Sequence, residues 1–287
     1  MVDITQLLDE ADSLRNKQGN LSGALEKINQ VLDFDPNNIS VLIRKSILLR
    51  DLGNLQESEE LLQSALEKVA EDNYLVMANI WRLMGVIGLL RGNIENALER
   101  AEKSNKKAES SDSLEMKANS QALLGNIYQF KGDLEKAEDY YEMALELAKK
   151  ARFTEREVTV SINIATIKAL KGDETKALVI LDNIIERAQN RWHKALFSAL
   201  FEKGKILINH SNVDENYVSA LQSAYKTAAS NGWNNEQGNM ALQLGKIFSN
   251  MSEMDIAREY FQTAKMIFEK SGITQKIEQA NLELQKI

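Results

Sequence analysis

Residues Leu124–Ala144 read LGNIYQFKGDLEKAEDYYEMA, and this stretch decides the fold. Glycine supplies the left-handed conformation that ends one helix, and Asn or Asp caps the next, so the pair Gly132-Asp133 predicts two helices joined by a tight turn. Ala137 lies five positions after the glycine, where a small side chain lets the paired helices approach closely. Tyr141, four positions further on, is large enough to fill the groove between them.

The same pattern recurs along the chain. The turn glycines, each followed by Asn or Asp and spaced by 34, 39, 40 and 40 residues, are Gly19, Gly53, Gly92, Gly132 and Gly172. The small residues five positions later are Ala24, Ser58, Ala97, Ala137 and Ala177. Two further units towards the C-terminus have Ser211 and Ser252 in place of the glycine. A repeat of this length indicates stacked supersecondary units.

Composition agrees with helices joined by short turns. The 287 residues are 44% apolar and include one proline, Pro36. The absence of cysteine excludes disulfides, thiolate metal sites and cysteine catalysis. A net charge of −7 argues against nucleic-acid binding, which needs a basic face. The first residues lack a signal-peptide pattern and the apolar stretches are too short to span a bilayer, so we expect a cytoplasmic protein that does not bind membranes.

These residues resemble the tetratricopeptide repeat (TPR), and Lys17–Asn38 lies close to its consensus. The resemblance implies an all-α fold, a right-handed superhelical α-solenoid of about seven helix-turn-helix repeats. We expect one domain over residues 1–287, with repeats at 5–38, 39–77, 78–117, 118–157, 158–196, 197–237 and 238–272 and a capping helix at 274–287. Repeats near 40 residues need longer helices than repeats of 34, because each added residue lengthens a helix by about 1.5 Å.

The sequence carries no arrangement typical of catalysis. The histidines, His193 and His210, are 17 residues apart and do not match metal-ligand spacing. Gly85, Gly88 and Gly92 are better explained by close helix packing than by phosphate binding. Acidic clusters such as Glu57, Glu59 and Glu60 are typical of a solvated helix face. We therefore expect no enzyme activity, no metal and no cofactor.

In a TPR superhelix the first helix of each pair lines the concave groove, so aligning the repeats predicts which residues face it. The predicted peptide-binding residues are Ile43, Ile47, Arg50, Asn79, Arg82, Val86, Asn119, Asn126, Gln129, Ile162, Thr166, Phe201, Lys205, Asn239 and Lys246.

Two features of this set bear on function. The apolar members form either an exposed stripe, which commonly marks an interaction site, or contacts between neighbouring repeats. Asn79, Asn119 and Asn239 occupy the same place in three repeats. An amide both donates and accepts, so such a ladder could hold an extended peptide backbone. The alternative is that these asparagines cap helices or face solvent.

The function expected from these observations is that of an adaptor or scaffold whose groove holds a segment of another protein. First helices are slightly basic and second helices acidic, which favours an acidic, partly apolar partner segment. A homo-oligomerising assembly module is the alternative. A peptide-sensing regulatory receptor is a third interpretation, because similar elongated repeats occur in kinesin light chains, G-protein-regulator scaffolds and bacterial peptide-pheromone receptors.

Overall fold

The computed structural model describes residues 4–17, 20–188, 193–209, 214–271 and 273–287. Within these ranges every regular element is an α-helix. The helices are α1 Ile4–Lys17, α2 Leu21–Phe34, α3 Ile39–Asp51, α4 Leu55–Glu67, α5 Tyr74–Leu90, α6 Ile94–Glu109, α7 Leu114–Lys131, α8 Leu134–Lys150, α9 Thr154–Leu170, α10 Glu174–Ala188, α11 His193–Asn209, α12 Glu215–Ser230, α13 Asn234–Asn250, α14 Met254–Ser271 and α15 Thr274–Gln285. In the described residues, seven consecutive helix pairs and a final helix confirm the predicted all-α fold of helix-turn-helix repeats.

The first helices of the longer repeats begin one turn earlier than the predicted repeat starts. Helix α5 begins at Tyr74 and α7 at Leu114, each four residues before the expected 78 and 118. Their caps explain the earlier start: the Asn73 side chain accepts from the Val76 amide, and Ser113 from the Met116 amide. An added turn is about 6 Å of helix, and it is absent from the shorter α3.

The turns inside the pairs have the backbone conformation that the glycines predict. Gly92 has φ +72°, Gly132 has φ +80° and Gly172 has φ +85°. Ser252 adopts the same left-handed conformation with φ +65°, which confirms that it replaces the turn glycine between α13 and α14. The equivalent prediction for Ser211, like the first turn glycine, lies outside the described residues.

The small residues allow the close packing of paired helices. Ala97, Ala137 and Ala177 are all fully buried. A Cβ atom added at Gly88 would lie 3.0 Å from the Ala97 Cα, and one added at Gly125 would lie 2.6 Å from the Tyr141 ring. Helix packing therefore accounts for Gly88 of α5 and Gly125 of α7.

The chain divides into two compact units, and the expectation of one domain stays a prediction. Unit 1 comprises the residues up to Asp9 together with Leu25–Ala177, and unit 2 comprises Glu10–Ala24 together with Leu178–Ile287. In unit 1 each first helix from α3 to α9 contacts the next first helix. In unit 2, α11 contacts α13, and α14 packs against both α13 and α15. The predicted site residues therefore divide between the two units.

Candidate functional site

The predicted site residues fall into four rows on the first helices when they are counted back from the turn residue. They lie 13, 10, 6 or 3 positions before Gly53, Gly92, Gly132, Gly172, Ser211 or Ser252. These spacings of three and four residues follow one face of a helix. Because neighbouring first helices touch within each unit, each row continues from one helix to the next.

The row 10 positions before the turn is largely interior. Ile43 is 9% exposed and Ile162 is 6% exposed, and both belong to the buried core of unit 1. Phe201, in the same row of unit 2, is half-buried against the core formed by α11, α12 and α13. Packing between neighbouring helices therefore accounts for these apolar residues, and they do not form a fully open stripe.

The row six positions before the turn is more accessible. Asn126 and Lys205 are exposed, while the remaining members are half-buried; these are Ile47, Val86, Thr166 and Lys246. Lys205 Nζ lies 2.6 Å from Glu202, and Lys246 Nζ lies 3.3 Å from Glu283. Three positions before the turn, the half-buried Arg50 pairs with Asp51 at 2.6 Å. This part of the face mixes apolar, amide and cationic groups.

Tyr141 holds two amide side chains of α7 in place. Its hydroxyl lies 2.7 Å from Asn126 Oδ1 and 2.7 Å from Gln129 Oε1, and it can donate its one proton to either. Burial raises the pKa of the Tyr141 hydroxyl, so it remains a donor throughout the physiological range. Asn126 Oδ1 also accepts from Asn163 Nδ2 at 3.3 Å, so the oxygens of Asn126 and Gln129 can both have a donor while their amide nitrogens remain available as donors.

The three asparagines of the row 13 positions before the turn are all half-buried. Asn79 Oδ1 accepts from Arg82 Nη2 at 2.8 Å. The Oδ1 atoms of Asn119, in unit 1, and Asn239, in unit 2, are shielded from solvent and have no hydrogen-bond partner. A buried acceptor without a donor costs about 1–3 kcal/mol, and such groups are uncommon in native proteins.

Two arginines of unit 1 are also incompletely paired. The Nε atoms of Arg82 on α5 and Arg156 on α9 are buried and have no hydrogen-bond partner. Burial, followed by the positive charges of Arg156 and Arg50, lowers the pKa of Arg82 to about 10. Burial also lowers the pKa of Arg156, and Glu155 partly opposes this. Both side chains remain cationic at neutral pH.

Comparison with known proteins agrees with the repeat pattern. The family model described as tetratricopeptide repeat matches residues 76–150 and 116–190. The chain contains tetratricopeptide repeats over these residues. No curated protein matches its sequence.

Solved structures share this TPR fold at low sequence identity. A Rap protein complexed with Competence and Sporulation Factor aligns with TM-score 0.68 and 14% identity, over 95% of this chain and 76% of that one. The apo form of the quorum sensor NprR from B. thuringiensis aligns with TM-score 0.68 and 18% identity, over 93% and 83%. Aspartyl phosphate phosphatase F from Bacillus subtilis aligns with TM-score 0.65 and 15% identity, over 92% and 70%. At these identities the likeness concerns the fold.

The TPR alignment missed Arg156. It lies 16 positions before Gly172, in the added N-terminal turn of α9, whereas the predicted repeat began at residue 158. Its neighbours Glu155 and Glu157 also make the segment look like an ordinary charged surface. The usable signal was the 40-residue spacing of the TPR turns, because a longer repeat needs a longer first helix.

Neither metal binding nor membrane crossing gains support in the described part of this TPR chain. No group of His, Asp or Glu side chains in these ranges could hold a metal ion. Among the described helices, none is both long and apolar enough to cross a membrane. His193 is the first residue of α11, but its side chain lies outside the described residues, as does all of His210.

Proposed function

We propose that this TPR protein binds a peptide or a segment of another protein along the first-helix faces of its units. The main support is the pair of buried, unpartnered amide oxygens on Asn119 and Asn239. A peptide backbone N–H would give each oxygen the donor that it lacks. Neither oxygen gives up a hydrogen bond when it accepts one from a ligand.

The surrounding groups suit a peptide. Asn126 and Gln129 offer amide donors for backbone carbonyls, and Val86 and Thr166 add half-buried apolar and hydroxyl surface. Amide side chains form hydrogen bonds with the backbone of a bound peptide rather than with its side chains, so they would hold segments of different sequence. The names of the Rap complex and of the quorum sensor NprR agree with a peptide or protein ligand. The scaffold or adaptor role and the cytoplasmic location remain part of this proposal.

The sharpest test pairs the two asparagines with matched controls. The protein and its Asn119→Ala/Asn239→Ala variant are used to select binders from a random 12-residue peptide display library. The control is Asn183→Ala/Asn216→Ala, which changes two exposed asparagines on second helices. Affinities of the selected peptides are then measured by fluorescence anisotropy. Helical circular dichroism shows that each variant folds.

We expect the control to bind like the unaltered protein and the Asn119/Asn239 variant to bind about fivefold more weakly or worse, since a peptide on either unit loses one hydrogen bond worth roughly 1 kcal/mol. In unit 2, Phe201→Ala should also weaken capture without loss of helix. A library that yields no binder, or a control that weakens as much as the test variant, would refute the proposal. Light scattering that shows a stable dimer unable to bind peptides would favour the self-assembly module instead. The absence of enzyme activity stays a prediction.

A further inference from the structure

Unit 1 holds a group of cations that its own residues leave incompletely compensated. Arg82 donates to the amide of Asn79 rather than to a carboxylate, and its Nε is buried without an acceptor. Arg156 likewise has a buried Nε without an acceptor, and its guanidinium lies 6.0 Å from the Phe153 ring centroid. Elsewhere in the same unit, the part-buried Arg100 pairs with the carboxylate of Glu59.

The three arginines belong together electrostatically. Burial is the main reason why the pKa of Arg82 is lowered, and the positive charges of Arg156 and Arg50 lower it further. Like charges that share a partly buried site repel one another, and this arrangement is costly unless an anion is bound. Arg50 already pairs with Asp51, so it contributes mainly the electrostatic field of its positive charge rather than hydrogen bonds to a ligand. The fork-shaped guanidinium groups of Arg82 and Arg156 are then the groups that can grip a ligand.

The register of the helices arranges the polar groups on a diagonal. Arg82 lies 10, Asn119 13 and Arg156 16 positions before the turn glycines of α5, α7 and α9. Each step of three residues is about 4.5 Å along a helix. Helix α7 contacts both α5 and α9, so Asn119 lies on the helix between the two arginines. Its unpartnered oxygen can accept a hydrogen bond, which a bare anion does not provide but a peptide N–H does.

We propose that Arg82 and Arg156, supported by the charge of Arg50, bind a carboxylate of an acidic partner segment, next to a backbone N–H that Asn119 accepts. This inference rests on the proposed peptide-binding function and adds the chemistry of one anchoring residue. Arginine forms paired hydrogen bonds to the two oxygens of a carboxylate, so the match is geometric as well as electrostatic. The net charge of the whole chain is −7, so this cationic group stands out from an acidic background.

The carboxylate could be a C-terminus or an Asp or Glu side chain, and four probes separate these sources. They are fluorescein-labelled hexaglutamate and hexaglutamine, each with a free and with an amidated C-terminus. Binding of hexaglutamate amide assigns the site to side-chain carboxylates. Binding of hexaglutamine with a free C-terminus assigns it to the terminal carboxylate. Either result supports the site, and anisotropy titrations at low and moderate salt measure both.

The variants are Arg82→Gln and Arg156→Gln, with Lys136→Gln as control. Lys136 is an exposed lysine at the start of α8, and its replacement removes the same unit of charge from a second helix. We expect each arginine variant to weaken carboxylate binding about tenfold or more and the lysine variant less than about twofold. Arg82→Lys keeps the charge without the paired donors and should fall between the two.

Two results would overturn the inference. One is that the unaltered protein binds hexaglutamate and hexaglutamine with a free C-terminus no better than hexaglutamine amide. The other is that Lys136→Gln weakens binding as much as Arg82→Gln. Peptides from the display library that need Asn119 and Asn239 but are insensitive to Arg82→Gln and Arg156→Gln would reject the carboxylate anchor and leave the peptide-binding function in place.

Discussion

Replacing Tyr141 by phenylalanine should remove the hydroxyl donor that lies between two amide side chains of the predicted site in unit 1. The ring of Tyr141 is fully buried, and its hydroxyl lies 2.7 Å from both Asn126 Oδ1 and Gln129 Oε1. Phenylalanine fills nearly the same volume, so no cavity is created. The change therefore isolates the contribution of the hydroxyl group.

The expected loss of stability is about 1 kcal/mol. One hydroxyl proton makes one hydrogen bond at a time, which is worth roughly 1 kcal/mol. Asn126 is exposed, so water can replace the lost donor there and no large penalty for an unpaired buried atom is added. If the free energy of unfolding falls by about 2 kcal/mol for each molar of urea, the urea concentration at the unfolding midpoint of unit 1 should fall by about 0.5 M.

Hydrogen exchange of α7 and α8 at increasing urea gives the unfolding free energy of unit 1, and NMR follows the side-chain amide resonances of Asn126 and Gln129. The matched control is Tyr217→Phe in unit 2, where the hydroxyl donates to the Leu200 carbonyl at 2.7 Å. This control should cost unit 2 a similar amount and leave the two resonances unchanged. An unchanged unit 1 midpoint, or Asn126 and Gln129 resonances that do not shift in Tyr141→Phe, would refute the reasoning.

Three further predictions concern the turns, the packing and the pH dependence. Ser252→Gly should stabilise unit 2 by about 0.5–1 kcal/mol. The left-handed conformation costs a non-glycine residue about 1–2 kcal/mol, and the greater chain entropy of glycine in the unfolded state offsets part of this gain. The reverse type of change, Gly132→Ser, should destabilise unit 1 by a similar amount, and urea midpoints measure both. Gly125→Ala should destabilise unit 1 by about 1–2 kcal/mol in urea unfolding, because the clash with Tyr141 outweighs the gain in helix propensity. Burial raises the pKa of Tyr141 and Tyr217 above their unfolded value of 10.0. The stability that the two protonated hydroxyls contribute should therefore be fully present below that pH and should fall as the pH rises past it. Urea midpoints measured from pH 8 to 11 should fall less for Tyr141→Phe than for the unaltered protein.

The candidate site was only partly predictable from the sequence. The row containing Asn79, Asn119 and Asn239 follows from counting back from the turns, because each repeat uses the same helix face. The partners of these side chains did not follow from it. Arg82 donates to Asn79 from three residues further along the same helix, whereas the other two oxygens lack donors among the side chains that the folded chain places around them. Arg156 was missed because the start of α9 was placed one turn too late.

The helices and turns were determined locally, so the sequence by itself predicted them. A glycine followed by Asn or Asp sets a turn within a few residues, and the burial of Ala137, Tyr141, Ala144 and Ala148 on α8 follows the helical spacing that the sequence displays. First helices behave differently, because they are packed on several sides. On α7 the consecutive residues 120–125 are all buried, so no helical period separates its core from the side that carries the predicted site residues. Only the tertiary structure could decide that Ile43 and Ile162 belong to the core while Arg82 and Asn119 keep unpaired polar atoms.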